Sequence, residues 1–250
     1  MRLADDITRM CVPKGGAGIF WVGQAGFVLK TDDGRLIGID LYLSDCCERY
    51  FGFQRIMPYL LEPHEIVFDA LLISHAHYDH FDVDAVPMLF RPKTHMIAAH
   101  DVKAECKRLG IQGNIDYIAC GDTLECEWLS VKAMPCDHGE LAPDAVGFLI
   151  TAGTKKIYFA GDTAYRSEYF ENPELFGADA AIFPINGAFG NMDGEQAAKA
   201  AELCRPKCTL PCHFWNFAEH LGDPNTFITS MKEKNLPYRI LRMGEGMVLK

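Results

Sequence analysis

The run Leu71-Leu72-Ile73-Ser74-His75-Ala76-His77-Tyr78-Asp79-His80 decides how this chain is read. Its first residues have the apolar character of a buried strand ending at Ser74, and polar residues follow without a spacer. Three histidines and an aspartate within six residues form a metal-ligand set. Neutral imidazole suits zinc, iron, copper and nickel, and a carboxylate adds a hard oxygen donor. A rigid strand tip is a place where such ligands can converge. A structural zinc site normally closes with cysteine or with four ligands on two short knuckles, and this cluster is denser than that. Alternate residues of an extended segment face opposite sides. His75 and His77 therefore share one side, and a turn at Asp79 and His80 aims that pair at a second ion. The alternative is a histidine-rich surface loop, which the density of ligand types makes the weaker reading.

Three later segments repeat the pattern of an apolar strand ending in a metal-binding residue. They are Val131-Lys132-Ala133-Met134-Pro135-Cys136-Asp137-His138, Ile157-Tyr158-Phe159-Ala160-Gly161-Asp162-Thr163 and Thr209-Leu210-Pro211-Cys212-His213. In isolation each has an ordinary reading: a satisfied histidine at 138 or 213, and a helix cap at Asp162. Together they complete two sets. His75, His77 and His138 make one; Asp79, His80 and His213 make the other; Asp162 is placed to bridge them. This suits two ions about 3.5–4 Å apart, which lower the pKa of water from 15.7 towards roughly 7. Hydroxide is then available at neutral pH without a Ser or Cys nucleophile. Asp79 and Asp162 are the catalytic candidates. Nitrogen and oxygen donors accept zinc or manganese, with iron as a further option.

The chain of 250 residues is read as one domain spanning 1–250, with apolar residues at 49% to supply its core. Net charge is −10, from 24 basic and 34 acidic residues, which disfavours nucleic acid as a partner. No apolar run reaches the roughly 20 residues of a membrane span. Met1 to Gly16 lacks the apolar centre of a signal peptide. The composition therefore reads as cytoplasmic, with a small-molecule substrate; assembly into a homo-oligomer is left open. The ten cysteines are read mostly as reduced, buried small hydrophobes. Cys204, Cys208 and Cys212 precede His213 at four-residue intervals, but Pro206 and Pro211 prevent them from lining one helix face.

Strands are expected at 19–22, 27–29, 36–40, 70–73, 129–134, 146–151, 156–160, 180–184, 208–210, 239–241 and 247–249. Helices are expected at 47–61, 83–90 (with Asp82 as N-cap), 101–109, 168–176, 195–204 and 225–234. A hairpin meander followed by alternating strands and helices points to an α/β (α+β) protein, with sheets covered by helices.

The order His-x-His-x-Asp-His at 75–80, His138, Gly161-Asp162-Thr163 and His213 resembles the metallo-β-lactamase superfamily over nearly the whole chain. The resemblance implies a four-layer αββα sandwich, and it implies that Asp40, closing the strand Leu36–Asp40, supports the site rather than ligating metal. Phe20-Trp21-Val22-Gly23-Gln24-Ala25-Gly26-Phe27, Gly187-Ala188-Phe189-Gly190-Asn191-Met192-Asp193 and Pro211-Cys212-His213-Phe214-Trp215-Asn216-Phe217 are similar to the L-ascorbate-6-phosphate lactonase-like branch. That branch implies hydrolysis of a lactone or other ester-like bond, in a phosphorylated sugar metabolite. Tyr165, Arg166, Asn186, Asn191 and Trp215 are the candidate substrate contacts, with Arg166 suited to a phosphate. Three other readings stand beside it: a metal-dependent phosphodiesterase on nucleic acid or phospholipid, a di-iron redox protein, and a non-catalytic metal-stabilised binding module.

Overall fold

Both faces of the first sheet are apolar, and that sets the layering. The computed structural model describes residues 2–250, so Met1 of the N-terminal segment lies outside it. Thirteen strands run as β1 (Ala17–Gly23), β2 (Gly26–Thr31), β3 (Leu36–Ile39), β4 (Ala70–Ile73), β5 (His95–Ala99), β6 (Ile115–Ile118), β7 (Thr123–Glu125), β8 (Leu129–Met134), β9 (Gly147–Ala152), β10 (Lys155–Phe159), β11 (Ala180–Pro184), β12 (Thr209–Cys212) and β13 (Gly246–Leu249). They form a seven-stranded sheet in the order β13-β1-β2-β3-β4-β5-β6 and a six-stranded sheet in the order β12-β11-β10-β9-β8-β7.

Alternate residues of the first sheet enter two different cores, as the period of two in a strand requires. Ile19, Trp21, Phe27, Leu29, Ile37, Ile39, Leu72 and Ile97 share one core with Val131, Phe148, Ile150, Ile157 and Ile182 of the second sheet. Phe20, Val22, Val28, Leu71, Ile73 and Met96 face the other way, against Leu3 and Ile7 of the helix Leu3–Arg9, Cys46 of the helix Cys46–Phe51, and Val102 and Cys106 of the helix Val102–Leu109. The helices Gly194–Cys204 and Pro224–Glu233 add Ala197, Ala198, Ala201, Phe227 and Met231 to the core of the second sheet. The result is the four-layer αββα sandwich that the resemblance implies. Among the described residues, no helix is long and apolar enough to cross a membrane.

Several expected elements are shorter or absent. The helix expected over 47–61 ends at Phe51, where Gly52 adopts φ 77° and stops it as a left-handed cap. The helix expected over 83–90 reduces to Val86–Leu89, because Asp82 Oδ1 accepts the N–H groups of Asp84 and Ala85 and holds a turn first. The helix expected over 168–176 is Ser167–Phe170. The segment 239–241 is no strand; that region joins the sheet only through a bridge between Thr209 and Tyr238. Strands β5, β6 and β7 had no expectation. Pro211 sits in β12, an edge strand, where a missing N–H costs no ladder bond on the open side.

Strand ends from both sheets meet at one rim. β3 delivers Asp40, β4 delivers Ser74 to His80, β8 leads to His138, β10 to Asp162, β11 to Asn186, and β12 to His213. The turn between β1 and β2 brings Gln24 to the same rim, where its carbonyl accepts the His213 N–H at 2.9 Å.

The two C-terminal helices depend on close backbone approach: a Cβ on Gly194 would lie 2.6 Å from the Phe227 nitrogen. Gly194→Ala is expected to cost about 1–3 kcal/mol through overpacking against backbone. The measurement is the urea midpoint at constant m-value, and an unchanged midpoint would refute this account of the contact.

Candidate metal centre

Asp40 is the buried anchor of the site. It sits just past β3 with φ 43°, a left-handed conformation that a residue other than glycine adopts at a cost. Its Oδ1 accepts the Ser74 N–H at 2.8 Å, and its Oδ2 accepts both the Ser74 hydroxyl and His80 Nδ1, the latter at 2.7 Å. With the Ser74 proton committed to Asp40, Ser74 Oγ is left to accept from His75 Nδ1, 3.0 Å away. One carboxylate thereby sets two imidazoles, His80 directly and His75 through Ser74, with Nε2 of each ring turned away from it. His77 is set the opposite way: its Nε2 donates to the Leu141 carbonyl at 3.2 Å, which frees Nδ1. The grouping of Asp40 with His75 and His80 is explained by these hydrogen bonds without an ion between them.

The freed nitrogens converge. His77 Nδ1 lies 3.0 Å from His75 Nε2 and 3.2 Å from His138 Nε2. Ligands at tetrahedral zinc distances stand about 3.4 Å apart, so the spacing fits three nitrogens around one ion. A second group gathers Asp79, His80, Asp162 and His213, whose donor atoms all lie within 4.8 Å of one another. His213 Nε2 is 3.2 Å from Asp79 Oδ2 and 3.1 Å from Asp162 Oδ2, and His80 Nε2 is 3.3 Å from Asp162 Oδ1. Asp162 Oδ2 also comes within 3.9 Å of His138 Nε2, so this carboxylate touches both groups. His80 Nε2 and Asp162 Oδ1 are buried and have no hydrogen-bond partner among the described residues, as donors awaiting an ion would be. The donor set fits a two-ion site.

Local structure explains how Asp162 is held. Gly161 before it has φ 68°, and any Cβ there would meet the Val146 carbonyl at 3.0 Å. The Cys136 thiol donates to the Asp162 carbonyl at 3.0 Å. The Asp137 N–H is taken by Thr163 Oγ1 at 2.9 Å, which ties the His138 arm to the Asp162 arm.

The charges in the site are strongly coupled. Burial alone would raise the Asp79 and Asp162 carboxyls, yet His80 and His213 outweigh it and hold both well below the usual range. Burial would lower His80, but Asp162, Asp79 and Asp40 hold it well above its usual value. His213 is pushed up to about 9 against burial, chiefly by Asp162 and Asp79. His75 is driven well down by burial and then by His80, against an opposing pull from Asp162.

Two residues escaped the sequence reading. Gln24, with φ 50°, donates through Nε2 to Asp79 Oδ2 at 2.8 Å and lies 3.0 Å from His213 Nε2. It stands in the quoted motif Phe20–Phe27, but an amide in a glycine-flanked turn carries no ligand signal. His220, in the short 3₁₀ turn Ala218–His220, lies tilted with its ring centre 5.3 Å from that of His213 and packs against Phe53, Phe189 and Phe217. Its seven-residue spacing from His213, among aromatics, is the one available clue. Burial and then His213 lower it to about 4.

A cavity of about 400 Å³ opens over the site. Its walls include His77, Asp79, His138, Asp162 and His213 at the ligand end, with Asn186, Asn191 and His220 beside them. Phe51, Phe53, Tyr78, Leu141, Phe189 and Phe217 supply the apolar remainder. No lysine or arginine lines it among the described residues. Asn186 and Asn191 are thus at the cavity, whereas Tyr165, Arg166 and Trp215 are not. Arg166 donates to Asp137 at 2.7 Å on the surface, Tyr165 stacks on Phe170, and Trp215 is half exposed.

Residues 41–214 match the sequence profile described as "Beta-lactamase superfamily domain". The chain is 34% identical over 218 residues to a UPF0173 metal-dependent hydrolase of Thermoplasma acidophilum, covering 84% of this chain and 88% of that relative. It is 30% identical over 248 residues to one of Aeropyrum pernix, covering 92% and 96%. The fold is similar to that of Igni18, a metallo hydrolase from Ignicoccus hospitalis, with a TM-score of 0.74 and 24% identity over 94% of this chain and 99% of that one.

Two outcomes follow from this geometry. Asp40→Ala is expected to weaken metal binding by about 10–100-fold, because His80 and His75 lose the group that orients them; calorimetric titration checks it, and wild-type affinity would refute the role. His220 supplies a pH signature. Its folded pKa of about 4 lies below the ordinary 6.5, so its contribution to stability is complete above pH 6.5 and lost as pH falls through 4. Metal-free wild type should therefore lose more melting temperature between pH 6.5 and 4 than metal-free His220→Phe. Parallel curves would contradict the depressed value.

Proposed function

The chain belongs to the β-lactamase superfamily and to its UPF0173 family of metal-dependent hydrolases, and on that premise we propose that it cleaves a lactone or other ester-like bond of a small, uncharged metabolite. The observation that carries this reading is the pair of ligand groups joined by Asp162 at the floor of a cavity without lysine or arginine. His75, His77 and His138 would hold one ion, and Asp79, His80, Asp162 and His213 the other, with zinc or manganese suited to the donors and iron also accommodated. When bound, such ions activate water at neutral pH and polarise the carbonyl oxygen of the substrate.

The chain's own groups do the rest. Asp79, fixed through Oδ2 by Gln24, orients the attacking water and takes its proton. Asp162 links the two ligand groups through Oδ2, which lies 3.1 Å from His213 Nε2 and 3.9 Å from His138 Nε2. The aromatic walls exclude bulk water, which strengthens every charge interaction inside. After water adds to the carbonyl, the ester C–O bond breaks and the proton held at Asp79 passes to the departing alkoxide.

The same walls argue against a phosphorylated sugar. A phosphate dianion would enter a largely apolar cavity with no lysine or arginine among the described residues to meet it, and Arg166, expected to do so, pairs with Asp137 outside. The shortage of basic groups at the cavity argues likewise against a nucleic-acid phosphodiester.

His77→Ala and Asp162→Asn should each lower kcat/KM on lactones and carboxylic esters by more than about 10²-fold while retaining the folded circular dichroism spectrum. Full activity in both variants would sink the proposal. Chelation should abolish turnover, and zinc or manganese should restore it.

A further inference from the structure

Three polar side chains beside the ligand groups are nine-tenths or more buried and have polar atoms without partners. His220 Nδ1, Asn186 Oδ1 and both terminal atoms of Asn191 find no hydrogen bond among the described residues, and all three residues line the cavity. Asn186 spends only its Nδ2, on the Ala188 carbonyl at 3.3 Å. Buried donors and acceptors are nearly always paired, so three unpaired side chains around one hollow call for a polar group of a ligand.

Around them stands an aromatic enclosure. His220 is edged by Phe189 at 5.3 Å and Phe217 at 5.1 Å, with Phe53 6.0 Å away. Phe53 and Phe189 also face each other at 5.9 Å, and Phe51 meets Tyr78 at 5.3 Å across the mouth. Phe189 is held at φ 53°, in a conformation unfavourable for a bulky residue, on the glycine-flanked turn 187–190. Its ring is half exposed, so packing within the chain does not account for that conformation.

We propose that the cavity is a specificity site for an uncharged ester or lactone that carries an aromatic group and, near the scissile carbonyl, a hydroxyl. The aromatic group lies between Phe51, Phe53, Phe189 and Tyr78. The hydroxyl is received by His220, Asn186 and Asn191, which offer donors and acceptors on one side of the ligand groups. This rests on the hydrolase reading and deepens it by naming the substrate class. A site that hydrogen-bonds a substrate hydroxyl discriminates strongly against the analogue lacking it, because its own buried groups are left unpaired.

The test uses the metal-loaded full chain and four probes: an α-hydroxy-γ-phenyl-γ-lactone, the same lactone without the hydroxyl, γ-butyrolactone, and a phosphorylated sugar lactone. Wild type should favour the first over each of the others by at least ~10²-fold in kcat/KM. His220→Leu and Asn191→Leu should collapse the ratio between hydroxylated and deoxy probes towards unity, and His220→Gln should recover part of it. Phe189→Ser should reduce the preference for phenyl over unsubstituted lactone. Binding of the hydroxylated lactam, which is not turned over, is followed by calorimetry and should weaken at least ~10-fold in His220→Leu. Equal turnover of all lactones, or ratios unmoved by the variants, would overturn the specificity while leaving hydrolysis standing. No turnover of any probe, with the lactam still bound in the expected order, would overturn hydrolysis and leave the site. Neither turnover nor binding would remove both.

Discussion

The carboxylate of Asp40 is the interaction on which the site depends. It is fully buried, accepts three hydrogen bonds, and ties the end of β3 to the end of β4 through Ser74. Burial raises its pKa, although His80 and the Ser74 groups pull it down. The charge is thus held at a cost and is retained by the groups it orients. Because Asp40 commits Nδ1 of His80 and, through Ser74, Nδ1 of His75, a single residue chooses which nitrogen of two rings reaches each ligand group. Without an ion, the buried Asp40 and Asp162 and the partly buried Asp79 favour protonated histidine, and they raise His80 and His213. Divalent ions would replace those protons and relieve the crowding of nitrogens near His77.

Backbone strain gathers at the same rim. Among the described residues, seven positions other than glycine have positive φ. Arg205 caps a helix C-terminus, and Asn235 follows another helix end. The remaining five are Gln24, Asp40, Phe189, His213 and Trp215, all in or next to the site. Such conformations persist only where their surroundings determine them, and behind Gln24, Asp40 and His213 stand the two apolar cores of the strand ends. The helices and sheets buried away from the rim are regular, so the strain lies where ligand direction matters.

The clustering of the candidate ligands was legible because its signals are local. His75 to His80 lie within one strand end, and His138, Asp162 and His213 each follow an apolar run with little spacing. Asp40 needed the resemblance, since its role is to hold residues 34 and 40 positions away. Gln24 and His220 were missed because their meaning is tertiary: nothing near Gln24 in the chain indicates a carboxylate at position 79. Arg166 failed for the same reason in reverse. A basic residue four positions after Asp162 invites a pocket role, but its partner Asp137 comes from another strand end and turns it outward. The helix expected over 47–61 shows how a glycine cap can override a run of residues that suits a helix.

The distribution of polarity in the cavity also constrains how a substrate can lie. Negative charge that develops on a carbonyl oxygen needs a compensating positive group, and no lysine or arginine lines the cavity among the described residues. Among the described residues the ligand end is where that compensation would come from, through ions that its donors could hold. On the proposed ester chemistry, the reacting carbonyl would point towards His77, His138, Asp162 and His213, and the apolar part of the substrate would occupy the space beneath Phe53 and Phe189. In a largely apolar enclosure the alternative orientation would bury an uncompensated oxyanion, which costs far more than any packing it could gain. For the proposed substrate class the fold thus sets direction: the same strand ends that converge the candidate ligands leave the aromatic walls to receive the rest of the molecule.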